Sequence, residues 1–530
     1  MGYVENPILR GFNPDPSIVR VDDNYYIAVS TFEWFPGVLI YHSGDLVNWH
    51  LVARPLDRVD QLNLIGVPDS SGVWAPCLSY DNGTFYLVYS NVKSFDGPWK
   101  DTPNYLVTTE DISSDWSDPI FLSATGFDGS MFHESRGKKW FVSMTVDHRK
   151  QKLFGGIVLQ EYSQEEQRLI GEKYHLTDGT ALGNTEAPHL YEKDGYFYIL
   201  LAEGGTEYGH AATIMRSKSL TGPYETHPNN PWNTASHEPA HPLQKCGHAD
   251  IIETKSGDWY VVFLTARPLT ERGRSITGRE TAIEKVVWKD GWPYLEHGDS
   301  LPRQRVWFEN IEEIYQGQTS VYNFTKEQLS LDLQSLRVPM TNDWCNLTDR
   351  KGYLRLYGRE SLSSFHHQSL VAKRVTEHHS RAITILDYQP KHHQQMAGLV
   401  MYYNTNHWHY LHLTTDDVGD RVLQIISCDK HLIRESLDLP IKLSKTNDIV
   451  LRSEWQAESI RCYYQDGSND WIEIGKPLDG SILSDDYVRD EANRYRAAFT
   501  GAFVGMCCQD LSGERLHADF KVFIYENLES

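Results

Sequence analysis

The sequence predicts an all-β protein, a five-bladed β-propeller followed by a β-sandwich. Three observations carry that prediction: a hairpin pattern that recurs five times, a second half built of short alternating strands, and a high aromatic content. The chain has 530 residues, 40% of them apolar, with 15 Trp, 30 Tyr and 19 Phe. Such a composition suits strands and large cores. A chain of this length is expected to form two or more domains.

The repeat is visible on aligning DPSIVRVDDNYYIAVS from Asp15, WAPCLSYDNGTFYLVYS from Trp74 and DGSMFHESRGKKWFVSM from Asp128. EAPHLYEKDGYFYILLA from Glu186 and HADIIETKSGDWYVVFL from His248 complete the set. In each copy two mostly apolar residues lead to a polar turn rich in Gly, Asp and Asn, and an aromatic opens a second apolar strand. Each therefore reads as a β-hairpin. The starts fall 59, 54, 58 and 62 residues apart, which leaves space for about two more strands per unit, the size of a propeller blade. The propeller is expected to span residues 1–305.

After GWPYLEHGDSLP the repeat stops, and residues 306–324 read as a connection. From 325 to 530, segments such as GYLRLYG, SLVAKRVT, AGLVMYYN, HWHYLHLTT, IVLRSEW and HADFKVFIYE alternate apolar and polar residues between turns. Many short strands of this kind predict a two-sheet sandwich.

The first strand of a propeller blade lines the central axis. Asp15, Trp74, Asp128, Glu186 and His248 are therefore expected to converge at one mouth of the channel. Facing carboxylates raise one another's pKa and can hold different protonation states. Hydrolysis of a glycosidic bond uses that division: a protonated acid serves the leaving oxygen and an ionised base activates water. Trp74 suits the apolar face of a sugar. Phe32 and Trp34, in TFEWFPGV, follow the first strand, with core packing as the alternative for both.

NPDPS, WAPC, GFDGSMFHE, TEAPHLY, GHADIIET and GRETAIEKVVW together resemble glycoside hydrolase family 43. The whole length resembles its intracellular β-xylosidases, which join a five-bladed propeller to a C-terminal sandwich. The resemblance implies an inverting, exo-acting enzyme that removes terminal xylose from β-1,4-xylo-oligosaccharides, with α-L-arabinofuranosidase activity as a side reaction or as the alternative. In it Asp15 is the general base, Glu186 the general acid, and Asp128 orients that acid and holds its pKa up. Arg279 binds sugar hydroxyls, its alternative being a structural salt bridge. His248 contacts substrate or borders an axial calcium, its alternative being a core histidine. No cofactor is required; calcium is the candidate. FTGAFVGMCCQDL, residues 499–511, resembles the family's sandwich loop that reaches the propeller, and Phe503 is assigned to the pocket rim, with the sandwich core as its alternative. One departure stands out: Thr145 and Val146 precede Asp147-His148-Arg149 where members of this type often carry Trp.

Acidic residues outnumber basic ones 72 to 50, a formal charge of -22, which disfavours nucleic acid and anionic membranes as partners. No basic region followed by an apolar stretch opens the chain, and seven scattered Cys form no metal-type pairs. A cytoplasmic location follows as the expectation, with assembly into a homo-oligomer, a dimer or tetramer. HEPAH at residues 237–241 matches a zinc-protease pattern that works only on a helix. Pro239 and its neighbouring prolines exclude a helix there. A non-catalytic sugar-binding propeller, whose carboxylates only hydrogen-bond hydroxyls, is the rival of another class, and binding alone has little need for a buried acid.

Overall fold

The computed structural model describes residues 2–95, 99–149, 153–309, 319–444, 448–489 and 498–528. Five antiparallel sheets follow one another along the first part of the chain. The first blade is built of Ser17–Val21, Asn24–Val29, Leu39–Ser43 and His50–Ala53. Gly72–Asp81, Ser130–His133, Glu186–Lys193 and Gln244–Glu253 open the other four. Asn82-Gly83 and Asp194-Gly195 all take positive φ, the left-handed geometry that two-residue hairpin turns demand.

All five opening hairpins share one register. Ser17 faces Ala28, Cys77 faces Val88, Ser130 faces Val142, His189 faces Leu200 and Asp250 faces Val262. Two residues before each, the backbone turns left-handed: φ is 54° at Asp15, 21° at Ala75, 52° at Asp128, 50° at Ala187 and 43° at His248. The expected equivalence is therefore off by one in two blades. The counterparts of Asp15 are Ala75 and Ala187. Trp74 and Glu186 stand one residue earlier, paired with Ser90 and Ala202 just before a bulge. Bulges re-aim side chains at functional mouths.

Gly2–Glu5 pairs with Arg305–Phe308, and Val306 and Phe308 are buried beside Leu9, Ile18 and Val262 of the propeller. The start of the expected connection thus packs as propeller, and residues 310–318 lie outside the described residues. The HEPAH segment forms turns.

The sandwich consists of an eight-stranded and a nine-stranded sheet. The nine-stranded sheet ends on Trp34–Phe35, a strand from the first blade whose residues face Leu336 and Ser335. One apolar cluster runs from Phe12, Phe32 and Trp74 of the propeller into Leu370, Tyr402 and Phe503 of the sandwich. Trp34 and Phe503 are fully buried there, their rings stacked at 3.6 Å and 15°. Neither lies at a pocket rim. Phe503–Asp510 is a strand buried along its whole length, between Leu370–Arg374 and Gln395–Asn404. Phe503 and Cys507 face the propeller while Val504, Met506 and Cys508 face the sandwich core. A strand buried on both faces has no polar alternation, so its sequence reads like an apolar loop.

Candidate active site

Asp15 and Asp128 each occupy the left-handed position before a blade's first strand. Asp tolerates that conformation better than most residues. Their carboxyls consequently leave the chain toward the axis rather than into a blade. Asp15 is 5% and Asp128 8% exposed, and Glu186 is half-buried. Asp15 Oδ2 accepts from Ser30 Oγ at 2.6 Å. Its Oδ1 lies 3.4 Å from Arg279 Nη1 and 3.5 Å from His248 Nδ1. Glu186 and Asp128 make no side-chain hydrogen bond among the described residues.

These surroundings drive the carboxyls apart. Burial pushes Glu186 up to about 8, and the charge of Asp15 adds to that push against Arg279 and Lys100. Asp128 is driven well above the carboxylate range by burial first, then by Glu186 and Asp15. Burial also acts on Asp15, but Arg279, His248, the Ser30 hydroxyl and His210 outweigh it and hold the carboxyl below its ordinary value. Burial pushes His248 down to about 3 and His210 to about 4. Both imidazoles are neutral near pH 7, so Arg279 is the cation that keeps Asp15 ionised. The sequence suggested that Asp128 raises the pKa of Glu186. The charge of Asp15 pushes Glu186 up, and Glu186 and Asp128 repel one another's ionised forms.

Arg279 opens the strand Arg279–Lys289 and is 4% exposed. Its guanidinium donates to Thr206 Oγ1 at 2.9 Å and to the Phe499 carbonyl at 2.9 Å. It lies over the rings of Phe32 and Phe499 at 5.4 and 5.2 Å. The sandwich thereby enters the site, through Phe499 rather than Phe503. A Cβ on Gly278 would stand 2.3 Å from the Thr500 carbonyl, and one on Gly501 2.8 Å from that of Thr277. Two glycines back to back let the sandwich segment press against the turn before Arg279.

The aromatic wall centres on Trp74. Its indole donates to the Ser70 carbonyl at 2.9 Å, and its ring meets Phe127 and Phe499 edge-on at 5.3 and 5.5 Å. Phe32 and Phe95 complete the wall, at 6.3 and 5.3 Å from Trp74. Phe32, Trp74, Arg279 and His248 thus stand with the carboxylates. Phe95, Phe127, Phe499, Ser30, Thr206 and His210 were not singled out from sequence. Phe127 adjoins Asp128, and Phe499 begins the sandwich segment already suspected, so those two carried a signal. The other four sit on loops without one.

A calcium on the axis finds poor support in the side chains present. The Asp250 carboxylate already accepts from Ser17 Oγ at 3.2 Å, from the Ile18 amide at 2.8 Å and from the Tyr191 hydroxyl. Among the described residues no three His, Cys, Asp or Glu are grouped to hold a metal ion.

Residues 4–293 match the family described as Glycosyl hydrolases family 43. The chain belongs to that family. Residues 321–526 match the Beta xylosidase C-terminal Concanavalin A-like domain, the second unit of this family 43 protein. A Beta-xylosidase of Bacillus subtilis (strain 168) is 48% identical over 534 residues, 99% of each chain. Xylosidase/arabinosidase 43B of Humicola insolens is 43% identical, covering 100% of this chain and 98% of that one. The crystal structure of xylan beta-1,4-xylosidase from Bacillus halodurans C-125 superposes with a TM-score of 0.96 at 47% identity, over 99% of this chain and 100% of that one.

Proposed function

We propose that this family 43 hydrolase is an exo-acting β-xylosidase that releases terminal xylose from β-1,4-xylo-oligosaccharides with inversion. The observation that carries the mechanism is the opposed surroundings of two carboxyls in one pocket: Asp15 lies against Arg279 and the Ser30 hydroxyl, which hold its pKa down, and Glu186 has no side-chain donor among the described residues and is pushed up by burial and by Asp15. Asp15 takes a proton from a water whose oxygen attacks the anomeric carbon. Glu186 gives its proton to the glycosidic oxygen as the carbon–oxygen bond breaks. Asp128 orients the acid and keeps its pKa up, and Arg279 both keeps the base ionised and offers donors to sugar hydroxyls. The sugar ring lies against Trp74 and Phe32, and Phe499 narrows the channel so that a chain enters by its end.

An α-L-arabinofuranosidase is the second reading, favoured by the Humicola insolens relative that carries both activities in its name. Both sugars present similar hydroxyl patterns to the same carboxylates. Initial rates on nitrophenyl β-xyloside and nitrophenyl α-L-arabinofuranoside decide between them: the xyloside is expected to be cleaved faster, and a faster arabinofuranoside would replace the first reading with the second. A cytoplasmic location and a dimeric or tetrameric assembly belong to the same proposal, checked by cell fractionation and sedimentation velocity. Among the described residues no helix is long and apolar enough to cross a membrane.

A further inference from the structure

Trp99 is the most exposed tryptophan among the described residues, at 69%. An exposed indole offers a large, rigid apolar face with a polar edge, the kind of surface that aromatic recognition uses. The indole does not lie loose on the surface. It stacks on His148 with centroids 4.5 Å apart and planes 28° from parallel, so a ring from a third-blade loop backs one face of the second-blade indole and holds it in place.

Both loops reach the catalytic pocket. Phe95, in the loop of Trp99, packs 5.3 Å from Trp74 and 6.1 Å from Phe499. Lys100 donates to the Phe95 carbonyl at 2.6 Å, and its charge is felt by Glu186. Val146, two residues before His148, packs against the aromatic cluster that contains Trp74 and Phe127. The His148 loop is braced by Asp147, which accepts from the Arg149 amide at 3.0 Å and from its Nε at 2.9 Å. Thr145 and Val146 bring no aromatic ring to this side of the mouth. Trp99 adjoins Lys100, whose charge reaches Glu186, and this puts the indole on the acid's side of the mouth.

We propose that the Trp99–His148 pair is an outer sugar-binding platform that receives the xylose units beyond the leaving-group xylose. The ligand class is the pyranose chain of a xylo-oligosaccharide of three or more units, whose apolar ring face stacks on the indole. This rests on the xylosidase reading given above. The platform makes the enzyme discriminate by chain length, because xylobiose ends before reaching it.

The test compares kcat/KM for xylotriose and xylobiose in the full-length protein and in Trp99→Ala, Trp99→Phe and His148→Ala. Trp99→Ala is expected to lower the xylotriose-to-xylobiose ratio about fivefold, through KM, as befits the loss of one aromatic stacking contact. Trp99→Phe should restore part of that ratio. His148→Ala should reproduce the loss, and it serves as the readout if Trp99→Ala does not fold. An equal fall on both substrates, the mark of a loop that merely props the pocket, would overturn the platform, as would an unaltered ratio. If the wild-type protein leaves xylobiose intact, the xylosidase reading fails separately, and the ratio of dissociation constants for the two sugars, by calorimetry, then decides the platform.

Discussion

The fourth blade carries two acidic side chains with opposite surroundings. Glu203, at the end of the strand Tyr196–Glu203, is fully buried. It accepts from the Thr180 amide at 2.7 Å, from Thr180 Oγ1 and Thr185 Oγ1 at 2.8 Å, and from Thr213 Oγ1 at 2.7 Å. Glu186, next to Thr185 in the chain, opens the neighbouring strand with no such donors. Its partners are other carboxyls and the distant charges of Arg279 and Lys100. A buried carboxylate with four donors fixes a loop. A half-buried carboxyl without donors and beside other carboxyls favours its protonated form and is poised to give that proton away. Glu203 thus holds the segment that aims Glu186, and the blade divides structure from chemistry between them.

The largest effects should come from the acid and the base themselves. Asp15→Ala removes water activation, which every substrate needs, and kcat should fall about 10³-fold on xylobiose and aryl xylosides alike. Glu186→Ala should fall as far on xylobiose, but about tenfold less on nitrophenyl xyloside, whose phenolate leaves without a proton. Equal losses on the two substrates would remove Glu186 from the role of acid.

Stability should separate the two glutamates in the other direction. Glu203→Ala strands an amide and three hydroxyls and should cost about 3 kcal/mol in denaturant unfolding. Glu186 has a folded pKa of about 8, above its unfolded value. Its contribution to stability is present below the unfolded pKa and is lost as pH rises toward 8. Glu186→Gln, which cannot ionise, should therefore gain stability relative to the wild type between pH 5 and 8, on the order of 1 kcal/mol at the upper end. A loss on Glu186→Gln, or tolerance of Glu203→Ala, would erase the distinction.

The smallest effect is the sharpest. The pH profile of kcat/KM should be a bell whose acid limb belongs to Asp15, held low, and whose alkaline limb lies near 8 with Glu186. Arg279 lowers both carboxyls. Arg279→Ala should move both limbs to higher pH by roughly one unit, whereas limbs moving in opposite directions would show that another cation sets Asp15.

Much of this was legible in the chain. The hairpin period, the turn pairs Asn82-Gly83 and Asp194-Gly195 and the alternating strands of the second half are local patterns, and local patterns survive folding. What escaped was set by backbone conformation or by contacts distant in sequence. Ala75 and Ala187 adopt left-handed φ without a Gly or Asn to announce it, which is why Trp74 and Glu186 were aligned one position off. Phe499 and Phe503 look alike in an apolar stretch. Only the pairing of Phe503–Asp510 between two strands puts one ring at Arg279 and the other against Trp34. The four donors of Glu203 come from three separate places in the chain, and no spacing rule collects them.

In the proposed mechanism Asp15 activates one water on the face opposite the bond that Glu186 protonates. That geometry needs the two carboxyls roughly 6.5–9.5 Å apart, wide enough for the water, where a covalent route needs about 5–5.5 Å. Proton NMR of the first turnovers on a β-xyloside reads the outcome before mutarotation blurs it. Inversion at the anomeric carbon gives α-xylose as the expected initial product. Initial β-xylose would contradict it and turn the base into a nucleophile.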